Sequence, residues 1–262
     1  VPLCEILFLF FFFFFFFELQ LMTETIHEFY SQPAVCTYLP EEKVSFHYLM
    51  IEDGQTITYQ HILERGYRRF GKMFFRHNCQ ECTQCMSIRI PLDIFKPSKS
   101  QRRVWNKNQD IAVTITRPQV SKEHIDLYNQ FHSYRADNRH WNFSPIDPDD
   151  YLNNFVEGHK KYGWEFQYRK NNELVGVGLV DEVYDALSSV YFYYSPEWSK
   201  NSPGTFSVLK EIEIAKAKNK KYLNLGYWVE KNQSMKYKAS FQPHELLKER
   251  TPFDQLPNWQ IQ

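Results

Sequence analysis

The stretch EFQYRKNNELVGVGLVDEVYDALSSVYFYYSPEW, residues 165–198, contains three short runs rich in β-branched and aromatic residues. The runs are separated at Asn171-Asn172 and at Tyr184-Asp185, and asparagine and aspartate favour tight turns. Short runs of this composition between turn residues are typical of antiparallel strands. The stretch therefore predicts three consecutive antiparallel strands.

The flanking sequence adds helices and further strands. SPGTFSVLKEIEIAKAKN (202–219) predicts a helix that begins at Pro203-Gly204, and KYLNLGYW (221–228) predicts a buried strand after it. Upstream, DIAVTITRP (110–118) predicts a strand and SKEHIDLYNQFHSYRADNR (121–139) predicts a helix. This order indicates an α+β fold with a helix inserted between late strands. The inward face of the later helix is expected to carry Phe206, Leu209, Ile212 and Ala215.

The first half of the chain is less regular. It predicts a helix over Tyr59–Glu64 that ends at Gly66, a strand around Lys72–Phe75 and a strand within MSIRIPLDIF (86–95). We therefore expect a small cysteine-containing N-terminal module over residues 22–108. A larger domain is expected over residues 109–250, with a tail over residues 251–262.

Residues 1–21 are interpreted as a non-native extension rather than as part of the fold. They include eight consecutive phenylalanines, residues 10–17, which a homopolymeric thymidine tract would encode. The segment has no lysine or arginine, unlike a signal peptide, and its apolar run of 12 residues, Ile6–Phe17, is shorter than the roughly 18–20 needed to cross a bilayer. An over-extended gene start before Met22 is therefore expected.

The chain carries 31 Lys plus Arg and 31 Asp plus Glu, so its net charge at pH 7 is zero. This balance argues against nucleic-acid binding driven by bulk charge but allows a local basic face. The strongest candidate is the window 96–107, which contains Trp105 and no acidic residue. Its candidate RNA-binding residues are Lys99, Arg102, Arg103 and Lys107.

Four cysteines follow residue 21, and three of them, Cys79, Cys82 and Cys85, lie three residues apart. With Cys36 they form a set of four thiols, the number required for zinc or an iron–sulfur cluster. The alternative is that all four are free thiols that pack as small hydrophobic side chains. Few cysteines in a chain of this length favour a reducing compartment, so a cytoplasmic location and no membrane partner are expected.

Six sequence blocks together resemble the aminoacyl-tRNA–protein transferases. In order, they are CTYLP (36–40), GYRRFGKMFFRHNCQECTQCMSIRI (66–90), PSKSQRRVWNKN (97–108), LVDEVYDALSSVYFYYSPEW (179–198), PGTFSVLKEIEIAK (203–216) and YLNLGYWVEKNQSMKYKASFQPHELL (222–247). The compact length and the CxxCxxC form are more similar to the bacterial aspartate/glutamate leucyltransferases than to the eukaryotic arginyl enzymes. The arginyl relatives carry a cluster-binding cysteine set in this region, so the resemblance also favours a metal site.

The resemblance implies a GNAT-like acyltransferase domain over residues 109–250. It also implies transfer of leucine from leucyl-tRNA to the α-amino group of proteins that begin with Asp or Glu, which marks them for proteolysis. The co-substrate is aminoacyl-tRNA, and the transfer chemistry requires no cofactor. Three alternatives remain: arginine as the donor on the same fold, a non-catalytic metal-dependent RNA- or protein-binding module, and a CoA-dependent acetyltransferase. The segment SPGTFS has only one glycine, which argues against a CoA phosphate loop.

Aminolysis of the tRNA ester requires a neutral amine, so a group that accepts a proton is expected. Asp181, at the end of a predicted central strand, is the leading candidate, and Tyr191 and Tyr194 are candidates for shaping the cleft. The alternatives are a carboxylate at a strand-end turn and tyrosines that only pack within a strand. An acidic acceptor side chain also requires a cation. The candidates for that role are Arg68, Arg69, Arg76, Arg89, Lys236 and Lys238.

Overall fold

The structure is a computed structural model that describes residues 26–51, 56–139, 143–158 and 161–262. The interpretation of residues 1–21 therefore concerns residues outside the described ranges. The described chain forms an eight-stranded sheet, a four-stranded sheet and a two-stranded ladder.

The eight-stranded sheet contains the three strands predicted from residues 165–198. These are β9 (Gly163–Lys170), β10 (Glu173–Glu182) and β11 (Ala186–Tyr194), which pair antiparallel in that order. β12 (Tyr222–Trp228) pairs parallel with β11 after a helical crossover. The strand order across the sheet is β14-β13-β7-β12-β11-β10-β9-β8, with β7 Met86–Pro91, β8 Ala112–Thr116, β13 Glu245–Leu247 and β14 Trp259–Ile261.

The two predicted modules share this sheet. β7 belongs to the expected N-terminal module, yet it lies between β12 and β13. The smaller sheet has the order β1-β4-β6-β5, and β2 pairs with β3 in the separate ladder. The bounds are β1 Ile26–Tyr30, β2 Ala34–Val35, β3 Lys43–Val44, β4 Phe46–Ile51, β5 Arg68–Phe70 and β6 Met73–His77.

The helices are α1 (Thr56–Glu64), α2 (Lys99–Lys107), α3 (Lys122–Arg139), α4 (Pro148–Tyr151, continued as a π-helical turn to Val156) and α5 (Pro203–Ala217). Two 3-10 turns cover Pro196–Asn201 and Lys236–Ser240. No helix in the described ranges is both long enough and apolar enough to cross a membrane. Helix α2 is not among the predicted elements; it begins at Ser98 through a reciprocal capping box with Gln101.

Helices cover the central strands, so β10 is buried along nearly its whole length. Phe206 of α5 belongs to a cluster with Val180, and Phe131 of α3 belongs to a second cluster with Leu179. Successive residues of β10 thus enter different hydrophobic clusters, as the period of two in a strand dictates. The order β9-β10-β11, crossover helix and parallel β12 confirms the expected α+β, GNAT-like class.

Candidate active site

Strands β11 and β12 separate shortly after they begin. They pair only over Ala186–Ser188 and Tyr222–Asn224, although β11 continues to Tyr194 and β12 to Trp228. Beyond this pairing, carbonyl groups of the two strands require partners other than the neighbouring strand, because buried backbone groups must be hydrogen-bonded. The separation opens a cleft in the middle of the sheet.

Arg68 of β5 caps the β11 side of this opening. Its Nη2 donates to the carbonyl oxygens of Ser189, at 2.7 Å, and Val190, at 2.8 Å. Gly226, at a bulge in β12, provides the space, because a Cβ at that position would lie 1.0 Å from Arg68 Nη1. Gly226 also has φ +75°, which disfavours any other residue. The bulge and the arginine therefore form one unit.

Lys238 caps the β12 side. Its half-buried Nζ donates to the carbonyl oxygens of Leu225, at 2.8 Å, and Tyr227, at 2.7 Å. Burial, assisted by the charge of Arg68, lowers the pKa of Lys238 to about 7. The pKa of Lys238 therefore lies near neutral pH, where the amine can hold or release a proton.

The cleft has a volume of about 410 Å³. Aromatic and aliphatic side chains form one part of its wall, and hydroxyl, amide and cationic side chains form the rest. Its cations come from β5, α3 and the turn after β12, and residues 202–205 at the start of α5 also line it. No described residue that lines it is an aspartate or a glutamate. The aromatic and aliphatic lining residues are Phe131, Val190, Tyr191, Phe192, Tyr194, Pro203, Val208, Leu225 and Tyr237, and the cations are Arg68, Arg135 and Lys238.

Tyr191 and Tyr194 both line the cleft. The Tyr191 hydroxyl is 2.8 Å from His132 Nε2 on α3. Burial raises the pKa of Tyr191, while burial and the charge of Arg135 lower the pKa of His132 to about 4. Both side chains are therefore uncharged at neutral pH, and this wall offers hydrogen bonds without a formal charge.

Asp181 does not line the cleft. Its side chain is fully buried and accepts hydrogen bonds from Arg69 Nη2 at 2.7 Å, Arg69 Nε at 2.9 Å and the Tyr59 hydroxyl at 2.7 Å. Burial alone would lower the pKa of Arg69, but the pairing with Asp181 raises it. This environment holds the carboxylate in an ion pair and does not support the predicted role of Asp181 as the base.

Three of the six predicted acceptor-binding cations are held by other parts of the protein. Arg69 pairs with Asp181, and Arg89 pairs with Glu245 at 2.6 Å while its guanidinium lies over two aromatic rings. Arg76 donates to the carbonyl of Thr251 at 2.9 Å. Lys236 is exposed on the 3-10 turn. Only Arg68 and Lys238 of this set line the cleft.

The predicted RNA-binding residues share one exposed face of α2, as their spacing of three and four residues requires. The end of this helix is joined to the turn before α5. Lys107 Nζ donates to the carbonyl of Lys200 at 2.8 Å, and Asn108 Nδ2 donates to the carbonyl of Asn201 at 3.0 Å. Because α5 begins directly after this turn, the basic face lies next to the cleft rim.

The four cysteines lie together but give no support to the expected zinc or iron–sulfur site. Among the described residues, no group of three or more His, Cys, Asp or Glu side chains is placed to hold a metal ion. All four are free thiols in a cluster with Leu39, Val44 and Val229. Burial, and then the neighbouring thiols, raise the pKa of Cys85 to about 12. The described residues therefore do not support the metal prediction, and the contacts of the four thiols are those of hydrophobic packing.

Sequence reasoning missed two charged residues at the cleft. Arg135 lines it from α3, and Glu211 of α5 is buried behind Ser189. Glu211 follows Ser207 by four residues and precedes Ala215 by four, so the helical period places it on the inward face. That spacing is the sequence signal that places Glu211 on the inward face, although the nearby isoleucines make the same face resemble a purely apolar one.

Two family models match the chain: "Arginine-tRNA-protein transferase, N terminus" over residues 34–103 and "Arginine-tRNA-protein transferase, C terminus" over residues 123–248. The chain is 40% identical over 234 residues to the aspartate/glutamate leucyltransferase of Helicobacter hepaticus, covering 89% of this chain and 97% of that one. It is 38% identical over 213 residues to the enzyme of that name from Campylobacter jejuni subsp. jejuni serotype O:23/36, covering 81% and 89%.

Among solved structures, L-PGS from Bacillus licheniformis is similar at a TM-score of 0.46 and 14% identity, over 68% of this chain and 58% of that one. The sequence relatives carry the assignment, because they span most of both chains at identities well above the level of chance similarity. The sequence blocks, both family models and these relatives agree. The chain is a transferase and belongs to the family of aminoacyl-tRNA–protein transferases.

Proposed function

We propose that the protein transfers leucine from leucyl-tRNA to the α-amino group of proteins that begin with Asp or Glu, marking them for N-end rule proteolysis. The observation that carries this proposal is the lining of the cleft, which combines an apolar wall with three cations and contains no carboxylate among its described residues. An apolar wall suits a leucyl side chain. Cations suit the carboxylate of an acidic acceptor.

The same lining disfavours arginine as the donor. An arginyl side chain would enter a cleft that already holds Arg68, Arg135 and Lys238, and like charges repel strongly where water is partly excluded. No carboxylate in the described lining would offset that repulsion. The names of the relatives also support leucine as the donor and Asp or Glu as the acceptor.

In the proposed reaction, the acceptor amine attacks the ester carbonyl at the 3′ end of the tRNA, and the ribose hydroxyl leaves. Lys238 and Arg68 both line the cleft, and their charges would stabilise the negative charge that develops on the carbonyl oxygen of the tetrahedral intermediate. Orientation of the two bound substrates would supply a further part of the rate. The reaction is proposed to occur in the cytoplasm, where charged tRNA is present.

The proposal predicts transfer of leucine from charged tRNA to peptides that begin with Asp or Glu, and not to peptides that begin with Lys or Ala. The measurement is incorporation of labelled leucine or arginine into the four peptides under identical conditions. Arginine transfer without leucine transfer would refute the donor assignment. Transfer of neither amino acid would refute the proposed function.

The exposed face of α2 is proposed to bind the acceptor stem of the tRNA through its phosphates. The double variant Arg102→Glu/Arg103→Glu is expected to raise the KM for charged tRNA and to lower the slope of log KM against log salt by roughly two, about one per lost phosphate contact. The KM for the acceptor peptide should not change. Lys122→Glu, an exposed charge reversal on α3, is the control and should leave both values unaltered.

A further inference from the structure

Glu211 is a carboxylate buried directly behind the cleft. Glu211 is 1% exposed. Its Oε1 accepts hydrogen bonds from Ser207 Oγ at 3.0 Å and from Ser189 Oγ at 3.4 Å. Its Oε2 is buried and has no hydrogen-bond partner among the described residues. Of the two serines, only Ser189 lines the cleft. The Ser189 hydroxyl is therefore the connection between this carboxylate and the space where substrates would bind.

The surroundings of Glu211 leave it without a directly paired cation. The groups that face it are Arg68 from β5, Tyr168 from β9 and Tyr237 from the turn after β12. None of the described ion pairs includes Glu211. Arg68 Nη2 donates to the carbonyls of Ser189 and Val190 rather than to Glu211. Burial raises the pKa of Glu211 to about 7, and the two serine hydroxyls oppose this rise. A carboxyl group in this range can take up and release a proton at neutral pH.

We propose that Glu211 accepts the proton of the attacking amine through the Ser189 hydroxyl and returns it to the departing ribose oxygen. The inference rests on the proposed function, because it assigns proton transfer in that reaction. Ser189 would contact the substrates, and Glu211 would be a positioning residue that acts through it. The 3.4 Å separation in the substrate-free cleft would shorten when substrates bind, as hydrogen bonds in empty active sites commonly do.

The proton balance of this step closes without another reactant. The amine nitrogen forms a bond to the ester carbon, and the carbonyl electron pair moves to oxygen. The nitrogen then passes a proton to Ser189 Oγ as the serine proton moves to Glu211. When the carbonyl re-forms and the ester carbon–oxygen bond breaks, the ribose oxygen takes a proton from Ser189 and the Glu211 proton returns to the serine. Glu211 begins and ends as a carboxylate.

The test compares kcat for leucine transfer to an Asp-initiated peptide between the wild type and Glu211→Gln across pH. The titrations of the peptide amine and of Lys238 are common to both proteins, so they cancel in the ratio of the two rates. A carboxyl with a pKa of about 7 is roughly one-tenth ionised at pH 6 and roughly one-hundredth ionised at pH 5, so the ratio should fall to about 10 at pH 6 and to about 2 at pH 5. By pH 8 the ratio should reach at least about 10², the lower value for general acid–base catalysis.

Two further variants separate this role from a structural one. Ser189→Ala should show the same loss at pH 8 and the same pH-dependent ratio, and the double variant should lose no more than either single variant, because the two groups act as a unit. Glu213→Gln is the matched control, since Glu213 lies on the same helix, is exposed and pairs only with Lys210 among the described ion pairs. It should transfer at the wild-type rate.

A ratio that stays constant with pH, or additive losses in the double variant, would overturn the inference while leaving the proposed function standing. Ser189→Ala provides a second route to that result if Glu211→Gln folds poorly, because it retains the backbone carbonyl that Arg68 binds. Absence of any transfer by the wild-type protein would instead overturn the proposed function, and this inference with it.

Discussion

A Gly226→Ala variant is expected to lose about 2–5 kcal/mol of unfolding free energy and most of its transfer activity. The new Cβ would lie 1.0 Å from Arg68 Nη1, so the guanidinium would have to leave the gap between β11 and β12. Overpacking of this kind costs roughly 1–3 kcal/mol, and a left-handed backbone adds roughly 1–2 kcal/mol for a residue with a side chain. Displacement of Arg68 would also leave the carbonyls of Ser189 and Val190 without their observed donor.

A double-mutant cycle checks the mechanism of that loss. In an Arg68→Met background, Gly226→Ala should lower the unfolding free energy by no more than the roughly 1–2 kcal/mol of the left-handed backbone, because the guanidinium with which the new Cβ clashes is gone. Urea unfolding gives the free energies, and transfer rates normalised to folded protein give the activities. Gly204→Ala is the control for the unfolding free energy alone, since a Cβ there would meet only the Tyr237 hydroxyl at 4.0 Å. If Gly226→Ala lowered the unfolding free energy equally in the wild-type and Arg68→Met backgrounds, the proposed coupling between the β12 bulge and Arg68 would be contradicted.

Arg68→Met alone is expected to lower kcat by about 10²-fold, the lower value for removal of one group that stabilises an oxyanion. Arg68 holds the β11 side of the cleft open and contributes to the low pKa of Lys238. Removal of its charge should therefore raise the pKa of Lys238 above about 7. The descending part of the pH profile of kcat, which reports loss of the Lys238 charge, should then move to higher pH.

Local pattern predicted the elements well, because a strand or a helix depends on neighbours within a few residues. The three strands of residues 165–198, the helix with Phe206 and Ile212 inward and the strand that follows were all predicted and are all present. The basic window contains helix α2, which begins with reciprocal hydrogen bonds between Ser98 and Gln101. The Ser-x-x-Gln spacing of these two residues is the sequence signal of a capping box.

The cleft could not be predicted in the same way, because it depends on pairs that are far apart in the chain. Arg68 reaches Ser189 across 121 positions, and the space for it exists only because Gly226 lies at a bulge. The sequence pattern does not distinguish Arg68 and Lys238 from the other four candidate acceptor-binding cations. Only the sheet topology separates these two from Arg69 and Arg89, which have partners elsewhere.

The location of Asp181 follows from a property of β10 that the sequence did show. Residues 174–180 are almost continuously apolar, which is typical of a strand buried on both faces. An aspartate at the end of such a strand is buried and therefore requires a cation, because an unpaired buried charge is very costly. Arg69, 112 positions away, provides it. The position of Asp181 at the end of a predicted central strand favoured the catalytic role, and the preference of aspartate for turns supported only the alternative of a strand-end turn.

Asp181→Asn is therefore expected to cost about 3–5 kcal/mol of unfolding free energy, because it would leave the Arg69 charge in a fully buried site without its counter-ion. The protein that remains folded should transfer at close to the wild-type rate. Asp185→Asn is the matched control, since Asp185 forms a partly exposed pair with Lys221 at 3.0 Å and such pairs contribute only about 0–1 kcal/mol.

Replacing both members of the Arg69–Asp181 ion pair by uncharged residues separates a role of Asp181 in stability from a role in catalysis. Arg69→Met/Asp181→Leu removes both charges, and replacing a buried ion pair by apolar residues of similar volume is often neutral or stabilising. The double variant should therefore recover much of the unfolding free energy that Asp181→Asn loses, and it should transfer leucine although no carboxylate remains at position 181. If instead the folded double variant and folded Asp181→Asn both lost transfer by about 10²-fold or more, the effect expected for loss of a general base, Asp181 would return to the reaction. Proton transfer through Ser189 and Glu211 would then be untenable as the main route, because a single amine proton needs only one acceptor.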